Sequence, residues 1–315
     1  MTAPTRVCIV GSGAIGSLFA AHLGRLPDLE VWAYDVSPAH VDAINSDGLR
    51  ITGAAEFRAE VHATTDPSRI PPCDLGIVAV KSAYTTAAIA ATGPVFEDAA
   101  VASVQNGLGN EERIAEIVPR VIRGTTLAAG AITAPGVVRY DATGGTWLGP
   151  FEPKPARMGE VTLLADLLER GGMTAAGLPD ARGAQWTKLL FNVGTNALGA
   201  VTGLPIGPIG TDPTVRGLAS RLIEEGRRVA HALGITPDAD PESMIDDAVA
   251  RAFGHRASML QDVTAHRATE VDVLNGGIVA AAREAGLDAP LNEAMVALVH
   301  GIEASWALEH DGSHA

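Results

Sequence analysis

The chain has 315 residues, 47% hydrophobic and 19% charged, with a formal net charge of −14. Length and composition fit a globular protein of two domains with sizeable cores, and exclude a disordered chain. The acidic balance excludes nucleic acid or an anionic membrane surface as the main partner, while leaving room for a local pocket that holds a small anion.

Cys8 and Cys73 are the two cysteines. Each lies in or beside an apolar run and reads as a structural thiol, and the pair offers neither metal spacing nor a disulfide framework. No metal site is expected. No apolar run reaches the roughly 18 residues of a membrane span, and no leader pattern precedes the strand that starts at Arg6, so the chain reads as cytoplasmic.

Val7-Cys8-Ile9-Val10 is a β-branched strand followed by Gly11-Ser12-Gly13-Ala14-Ile15-Gly16 and an amphipathic helix. Strand, glycine turn and helix in that order form a dinucleotide fingerprint. Gly11 permits the tight turn, Gly13 lets backbone approach a pyrophosphate, and Gly16 allows close helix–strand packing. The phosphates are expected on the helix N-terminus, where unpaired N–H groups and the helix dipole favour anions. A second strand, 30–35, ends in Asp35, where an acid binds an adenine ribose 2′-hydroxyl. Asp35 repels a 2′-phosphate, and no Arg or Lys follows it through Asn45. NAD(H) is therefore expected, with NADP(H) as the alternative. A competing role for Asp35 is to cap the helix that starts near Ser37-Pro38.

Two further apolar strands, 73–80 and 100–104, end at Lys81-Ser82 and at Gln105-Asn106-Gly107. In doubly wound sheets ligands gather at the carboxyl ends of strands, which raises Lys81 and Asn106 above ordinary surface residues. Residues 124–132, 137–142 and 146–148 are rich in threonine, glycine and β-branched side chains. They are expected to extend the sheet as mostly antiparallel strands. A helix over 158–171 and a short strand over 173–176 complete the first half. The expected architecture is α/β: a Rossmann-type dinucleotide-binding domain over 1–179, then an all-helical domain over 180–315.

The helical half opens with W-T-K-L-L-F-N-V-G-T-N-A-L, residues 186–198. Lys188, Asn192 and Asn196 recur every fourth residue and so share one helix face. A long cation and two amides on an apolar helix are costly without a polar group opposite. That group is either a small polar substrate or the seam of a neighbouring helix. Further helices are expected over 212–233, 241–253, 258–285 and 291–308; the tail 310–315 carries no readable motif. On a single helix over 258–285, Ser258 and Thr269 share a face with Glu270 beside it, so Ser258 and Glu270 are expected to project into one cleft. Asp262, Arg267 and Asp272 are read as an ion-pair network. Asn275-Gly276-Gly277 is poor helix chemistry and marks a bend or a close backbone approach.

Together these motifs resemble the ketopantoate reductase (2-dehydropantoate 2-reductase) family. The resemblance covers nearly the whole chain: G-S-G-A-I-G, V-K-S, Q-N-G-L-G-N-E-E, the 186–198 helix, S-M-L-Q-D-V-T-A-H-R-A-T-E-V-D and P-L-N. The glycine motif is unspecific, and K-x-x-x-N also occurs in β-hydroxyacid dehydrogenases; the S-x-x-x-D…T-E-x-D segment favours ketopantoate reductase. The resemblance implies Lys188 as general acid, Glu270 as catalytic glutamate and Ser258 as a substrate contact. It implies amide contacts from Asn106, Asn192 and Asn196, with Lys81 near cofactor and substrate and Asn106 near both. The chain departs from the family at Asp35, where NADPH-using members typically carry an arginine.

A 2-oxo acid needs a hydride, a proton for the developing alkoxide and donors for its carboxylate. A free lysine titrates near ~10.4, too weak an acid at neutral pH. Burial is expected to lower the Lys188 pKa while Glu270 opposes that shift, in a cleft between the domains. The leading expectation is reduction of 2-dehydropantoate, or a similar 3-branched 2-oxo acid, to the (R)-2-hydroxy acid. The alternative is NAD-linked oxidation of another branched, D-mandelate-like 2-hydroxy acid. A non-catalytic dinucleotide sensor is a third reading, against which the intact set Lys188, Asn192, Ser258 and Glu270 argues. The partner is a small molecule; a homodimer through the helical domain is also allowed.

Overall fold

The β-branched run Thr5–Val10 forms β1, whose last four residues are fully enclosed, as a central parallel strand requires. It begins a chain described over residues 4–310 in a computed structural model; the tail beyond His310 lies outside the described residues. One compact unit holds the described residues up to Gln105 together with Gly109–Ala181. The second holds Asn106–Leu108 together with the described residues from Arg182 onward.

In the first unit β1 leads to α1 (Ala14–Leu23), β2 (Leu29–Tyr34), α2 (Pro38–Asp47), β3 (Leu49–Gly53), β4 (Phe57–Ala59) and β5 (His62–Thr64). β6 (Leu75–Val78), α3 (Thr85–Thr92), β7 (Ala100–Ser103), α4 (Asn110–Ala115) and β8 (Arg120–Thr126) follow. The unit closes with β9 (Ala129–Ala134), β10 (Val137–Ala142), β11 (Thr146–Pro150), α5 (Met158–Gly171) and β12 (Ala175–Gly177). The main sheet has the order β12-β11-β8-β7-β6-β1-β2-β5 and is parallel except where β11 runs antiparallel to β8. This is the expected α/β sheet, with the glycine turn leaving the end of a central strand.

The region expected to extend that sheet divides instead. Residues 124–132 break after Thr126, and β9 and β10 leave the main sheet to join β3 and β4 in a second one, ordered β4-β3-β10-β9. The reason lies in α1, whose residues from Gly16 to Leu23 are all buried. A helix apolar on every side needs a cover on its outer face, and β9 and β10 supply it. Cys8 and Cys73 are buried and unbridged. A hydrogen bond to Cys73 and then burial push the Cys8 thiol well up, which suits an inert core group.

The second unit is helical: α6 (Arg182–Thr202), α7 (Ile206–Thr211), α8 (Pro213–Ala232), α9 (Pro241–Ala252), α10 (Ser258–Thr264), α11 (Asn275–Glu284) and α12 (Pro290–His310). Asp212 caps α8 by accepting from the Thr214 and Val215 N–H groups, with Pro213 in the first turn. Trp186, Leu189, Leu190, Val193 and Ala197 turn one side of α6 into the core of this unit. Among the described residues no helix is long and apolar enough to cross a membrane.

The single helix expected over 258–285 does not form. α10 stops at Thr264, residues 265–274 are turns and extended chain, and α11 starts at Asn275. His266 takes a left-handed φ of 48°, and the buried Asp262 carboxylate holds Arg267 at 3.2 Å. The Glu303 carboxylate takes the Thr269 N–H at 2.8 Å. Each interaction turns the backbone away from helical pairing. Asn275-Gly276-Gly277 therefore marks a helix start after a break. The expected Asp262–Arg267 pair is present, and Asp272 meets His300 at 3.0 Å.

Candidate active site

The glycine turn is shaped by two close approaches. Gly11 has φ 92°, a conformation L-residues with a side chain avoid. A Cβ on Gly16 would overlap the Gly11 carbonyl oxygen and sit 3.2 Å from Ile9. Over Gly13 there is open space, with no atom within 4 Å of where a Cβ would lie. α1 then starts at Ala14 without a side-chain cap, so the N–H groups of Ala14, Ile15 and Gly16 belong to its unpaired first turn. Next to them the Ser12 hydroxyl is buried and has no hydrogen-bond partner among the described residues. An open backbone face, free N–H groups and an orphaned hydroxyl together fit the phosphates of a dinucleotide.

Beside this turn is a pocket of about 290 Å³, lined by Ser12, Gly13, Asp35, Ser37, His40 and hairpin residues 132–135. Ser37 is the N-cap of α2, which has no side-chain cap, so the capping role foreseen for Asp35 is not taken up; its hydrogen bond is that of a turn ahead of the helix, one carboxylate oxygen accepting the Ser37 N–H at 2.9 Å. It occupies one oxygen and leaves the side chain in the pocket wall. His40 is buried, and its Nδ1 accepts the Gly136 N–H at 3.1 Å. The ring proton is thereby placed on Nε2, which donates to Ser17 Oγ at 3.2 Å; that hydroxyl donates to the Ser12 carbonyl at 2.7 Å. Burial holds the His40 pKa below its ordinary value, with Asp35 pulling the other way. Among the described residues that line it, the pocket thus carries one carboxylate, a neutral imidazole and no Lys or Arg.

Lys81 lies just past β6, half-buried, and starts the short 3₁₀ turn Ser82–Tyr84. The backbone before it is fixed by Gln105, whose Nε2 donates to the Val80 carbonyl at 2.8 Å and to Thr85 Oγ at 2.7 Å. Thr85 in turn donates to Asn110 at 3.1 Å. Gln105 and Asn110, read in the sequence only as part of a motif, are therefore the framework of this strand end.

In the second unit α6 places Lys188, Asn192 and Asn196 one turn apart on one face. Asn106 Nδ2 donates to the Glu270 carboxylate at 3.0 Å. That loop is held to the unit by Leu108 N–H donating to the Val273 carbonyl at 2.9 Å. Gly107, at φ 81°, lies so close to Val273 that a Cβ would overlap its carbonyl. Burial lowers the Lys188 pKa from 10.5 to about 8, against the opposing charge of Glu270. Desolvation therefore outweighs the carboxylate. Two turns along α6, Asn196 accepts from Ser258 Oγ at 3.0 Å and from the Met259 N–H at 3.2 Å, and donates to Asn192 at 3.2 Å.

The second unit thus unites six of the residues singled out in the sequence, around one face of α6. Ser258 and Glu270 reach it from opposite sides of the break after α10, Ser258 through Asn196 and Glu270 through Asn106 and Lys188, and not along one helix. The first unit brings together Gly11 to Gly16 and Asp35. His40 and the hairpin tip 132–135 were missed: the hairpin is almost a hundred residues from Asp35, and no local pattern announces it.

Residues 7–153 match the family described as ketopantoate reductase PanE/ApbA, and residues 180–303 match its C-terminal domain. The 2-dehydropantoate 2-reductase of Pyrococcus horikoshii is 32% identical over 302 residues, covering 95% of this chain and 97% of the relative. That of Halobacterium salinarum is 33% identical over 299 residues, covering 93% and 97%. Among solved structures, a PanE/ApbA family ketopantoate reductase from Ralstonia eutropha superposes with a TM-score of 0.85 at 30% identity, covering 96% of this chain and 99% of the other. A D-mandelate dehydrogenase with NADH and anilino(oxo)acetate gives the same TM-score at 25% identity, covering 96% and 99%.

Proposed function

Since the chain belongs to the ketopantoate reductase family of oxidoreductases, we propose that it reduces a 3-branched 2-oxo acid of the 2-dehydropantoate type to the (R)-2-hydroxy acid. The observation that carries this reading is Lys188, a lysine pulled down to about 8 by burial on a face it shares with two amides. A general acid works best when its pKa lies near the working pH.

Gly11, Ser12, Gly13, Ala14, Ile15 and Gly16 are assigned to the phosphates of a nicotinamide dinucleotide, Asp35 to its adenine ribose, and Lys81 and Asn106 to its far end. When bound in reduced form, that group supplies the hydride. Lys188 gives its proton to the substrate's C2 oxygen as the carbonyl electron pair moves onto it, which balances the hydride and leaves the neutral amine. Glu270, fixed by Asn106, holds the ammonium before transfer. Asn192 donates to the substrate, and Ser258 orients it. A pocket wall with one carboxylate and, among the described residues, no Lys or Arg favours NADH over NADPH.

The same pocket supports a second reading, NAD-linked oxidation of a D-mandelate-like 2-hydroxy acid, because the structurally similar D-mandelate dehydrogenase was solved with NADH. A panel of 2-oxo acids assayed with NADH and with NADPH separates the two by kcat/KM. The first reading expects the branched aliphatic acid to lead, with NADH preferred. A lead for phenylglyoxylate establishes the second; a clear NADPH preference removes the role given to Asp35.

A further inference from the structure

We infer that His40 is a positioning residue for dinucleotide binding: it latches the tip of the β9–β10 hairpin to α2, so that the tip stands as the outer wall of the pocket beside Asp35. The inference rests on the dinucleotide reading above and assigns a determinant of affinity within it. Its starting point is how little else holds the tip. β9 is an edge strand of its sheet, and its pairing with β10 shifts register between Val137 and Val138, next to the turn. Residues 132–135 are all exposed, yet Ile132, Ala134 and Pro135 are apolar and line the pocket of about 290 Å³.

The anchor is Gly136, buried and at a left-handed φ of 70°. Its carbonyl accepts the Arg50 N–H of β3 at 2.9 Å, which ties the turn to its own sheet. Its N–H leaves that sheet and donates to His40 Nδ1 of α2 at 3.1 Å. A Cβ on Gly136 would lie 3.0 Å from the Ala43 Cβ, so turn and helix touch at this point. Nδ1 can accept only while the ring is neutral, and burial keeps it so against the pull of Asp35. Nε2 donates to Ser17 at 3.2 Å, and the Ser17 hydroxyl donates to the Ser12 carbonyl. One imidazole therefore spans the two sides of the pocket, the hairpin turn and the glycine turn.

A buried N–H stripped of this acceptor is costly, and the turn would shift to regain a partner. That shift takes the apolar wall away from the pocket. The dinucleotide must then order the tip as it binds, and its apparent affinity falls with the fraction of molecules whose tip is already in place. With Asp35 assigned to the adenine ribose, the group that the wall covers is the adenosine end.

The test measures Kd for NADH and for ADP-ribose by calorimetry in wild type, His40→Gln, His40→Asn and Ile132→Ala. Asn carries its amide on Cγ and keeps an acceptor where Nδ1 lies; Gln, one bond longer, keeps a donor where Nε2 lies and strands the Gly136 N–H. His40→Gln is expected to weaken both ligands about 10-fold and His40→Asn by no more than about 3-fold. Ile132→Ala, at an exposed position, is expected to weaken both about 3-fold by thinning the wall. With 2-dehydropantoate and saturating NADH, kcat of His40→Gln is expected to stay within about 2-fold of wild type, because the latch acts on binding alone. An unchanged Kd in His40→Gln or in Ile132→Ala overturns the inference and leaves 2-oxo acid reduction standing. An equal loss in His40→Asn, or a loss for NADH that ADP-ribose does not share, overturns it as well. A wild type that binds neither ligand removes the dinucleotide reading and this inference with it.

Discussion

Replacing Glu270 by glutamine tests the electrostatic account of Lys188 most directly. Gln keeps an oxygen for the Asn106 amide, which donates to Glu270 at 3.0 Å, and removes only the negative charge. In the wild type, burial brings Lys188 to about 8 while Glu270 pulls upward. With that charge gone the opposing pull is lost and the pKa falls further. An opposite charge a few ångströms away is worth about 1–3 pKa units; at the lower end the lysine moves from about 8 to about 7. At pH 7.5 the protonated fraction then drops from about three-quarters to about one-quarter, a roughly threefold loss of the acid form. The assay is kcat/KM for 2-oxo acid reduction from pH 6 to 10. The wild-type profile should fall above about pH 8 as the acid form is lost, and the Glu270→Gln profile should break about one unit lower. The oxidative direction, which needs the neutral amine, should rise over the same interval. A descending limb that stays put in Glu270→Gln, or that lies near 10, refutes the reasoning.

Lys188→Met should keep dinucleotide affinity, measured by quenching of tryptophan fluorescence, while losing about 10²–10⁴-fold in kcat; near-normal turnover withdraws the general-acid role. Gly16→Ala places a Cβ against the Gly11 carbonyl oxygen, a clash expected to cost about 1–3 kcal/mol and to weaken dinucleotide binding. A thermal melt and a binding titration check it, and an unchanged Kd would separate the glycine turn from the cofactor.

Where sequence pattern and local contacts agree, the fold was legible. The helix expected over 158–171 is α5 with the same ends, because its apolar spacing, the Glu160 carboxylate that accepts the Arg157 N–H at 2.8 Å and the left-handed Gly172 after it are all local signals. The break after α10 was hidden because the residue with positive φ is His266, not a glycine, and the groups that enforce it, Asp262 and Glu303, act through tertiary contacts. Strands β3, β4 and β5 were not foreseen at all. They are three to five residues long, and β3 finds its partner β10 almost ninety residues away. Lys188, Asn192 and Asn196 could be grouped because a helix repeats; the roles that separate them could not. The Met259 N–H that Asn196 accepts at 3.2 Å comes from another helix, and no local pattern announces it.

The lowered lysine also carries a cost in stability, and its sign is fixed. In the unfolded chain Lys188 titrates near 10.5, and in the folded protein near 8. Between those values the unfolded state binds more protons than the native one, so this group makes stability rise with pH across that window. Below about 8 the ammonium is present in both states, and the full penalty of holding it partly buried applies. Above 10.5 the amine is neutral in both and the penalty is gone. Lys188→Met fills similar volume without the charge, so it should melt at a higher temperature than wild type at pH 7, with the difference shrinking steadily from pH 8 to 10.5. A structural cation satisfied by Glu270 predicts the reverse: removing it would leave a carboxylate without its counter-charge and lower the melting temperature at pH 7. Melts of the two proteins at pH 7 and pH 10 therefore decide whether Lys188 is retained for the fold or in spite of it.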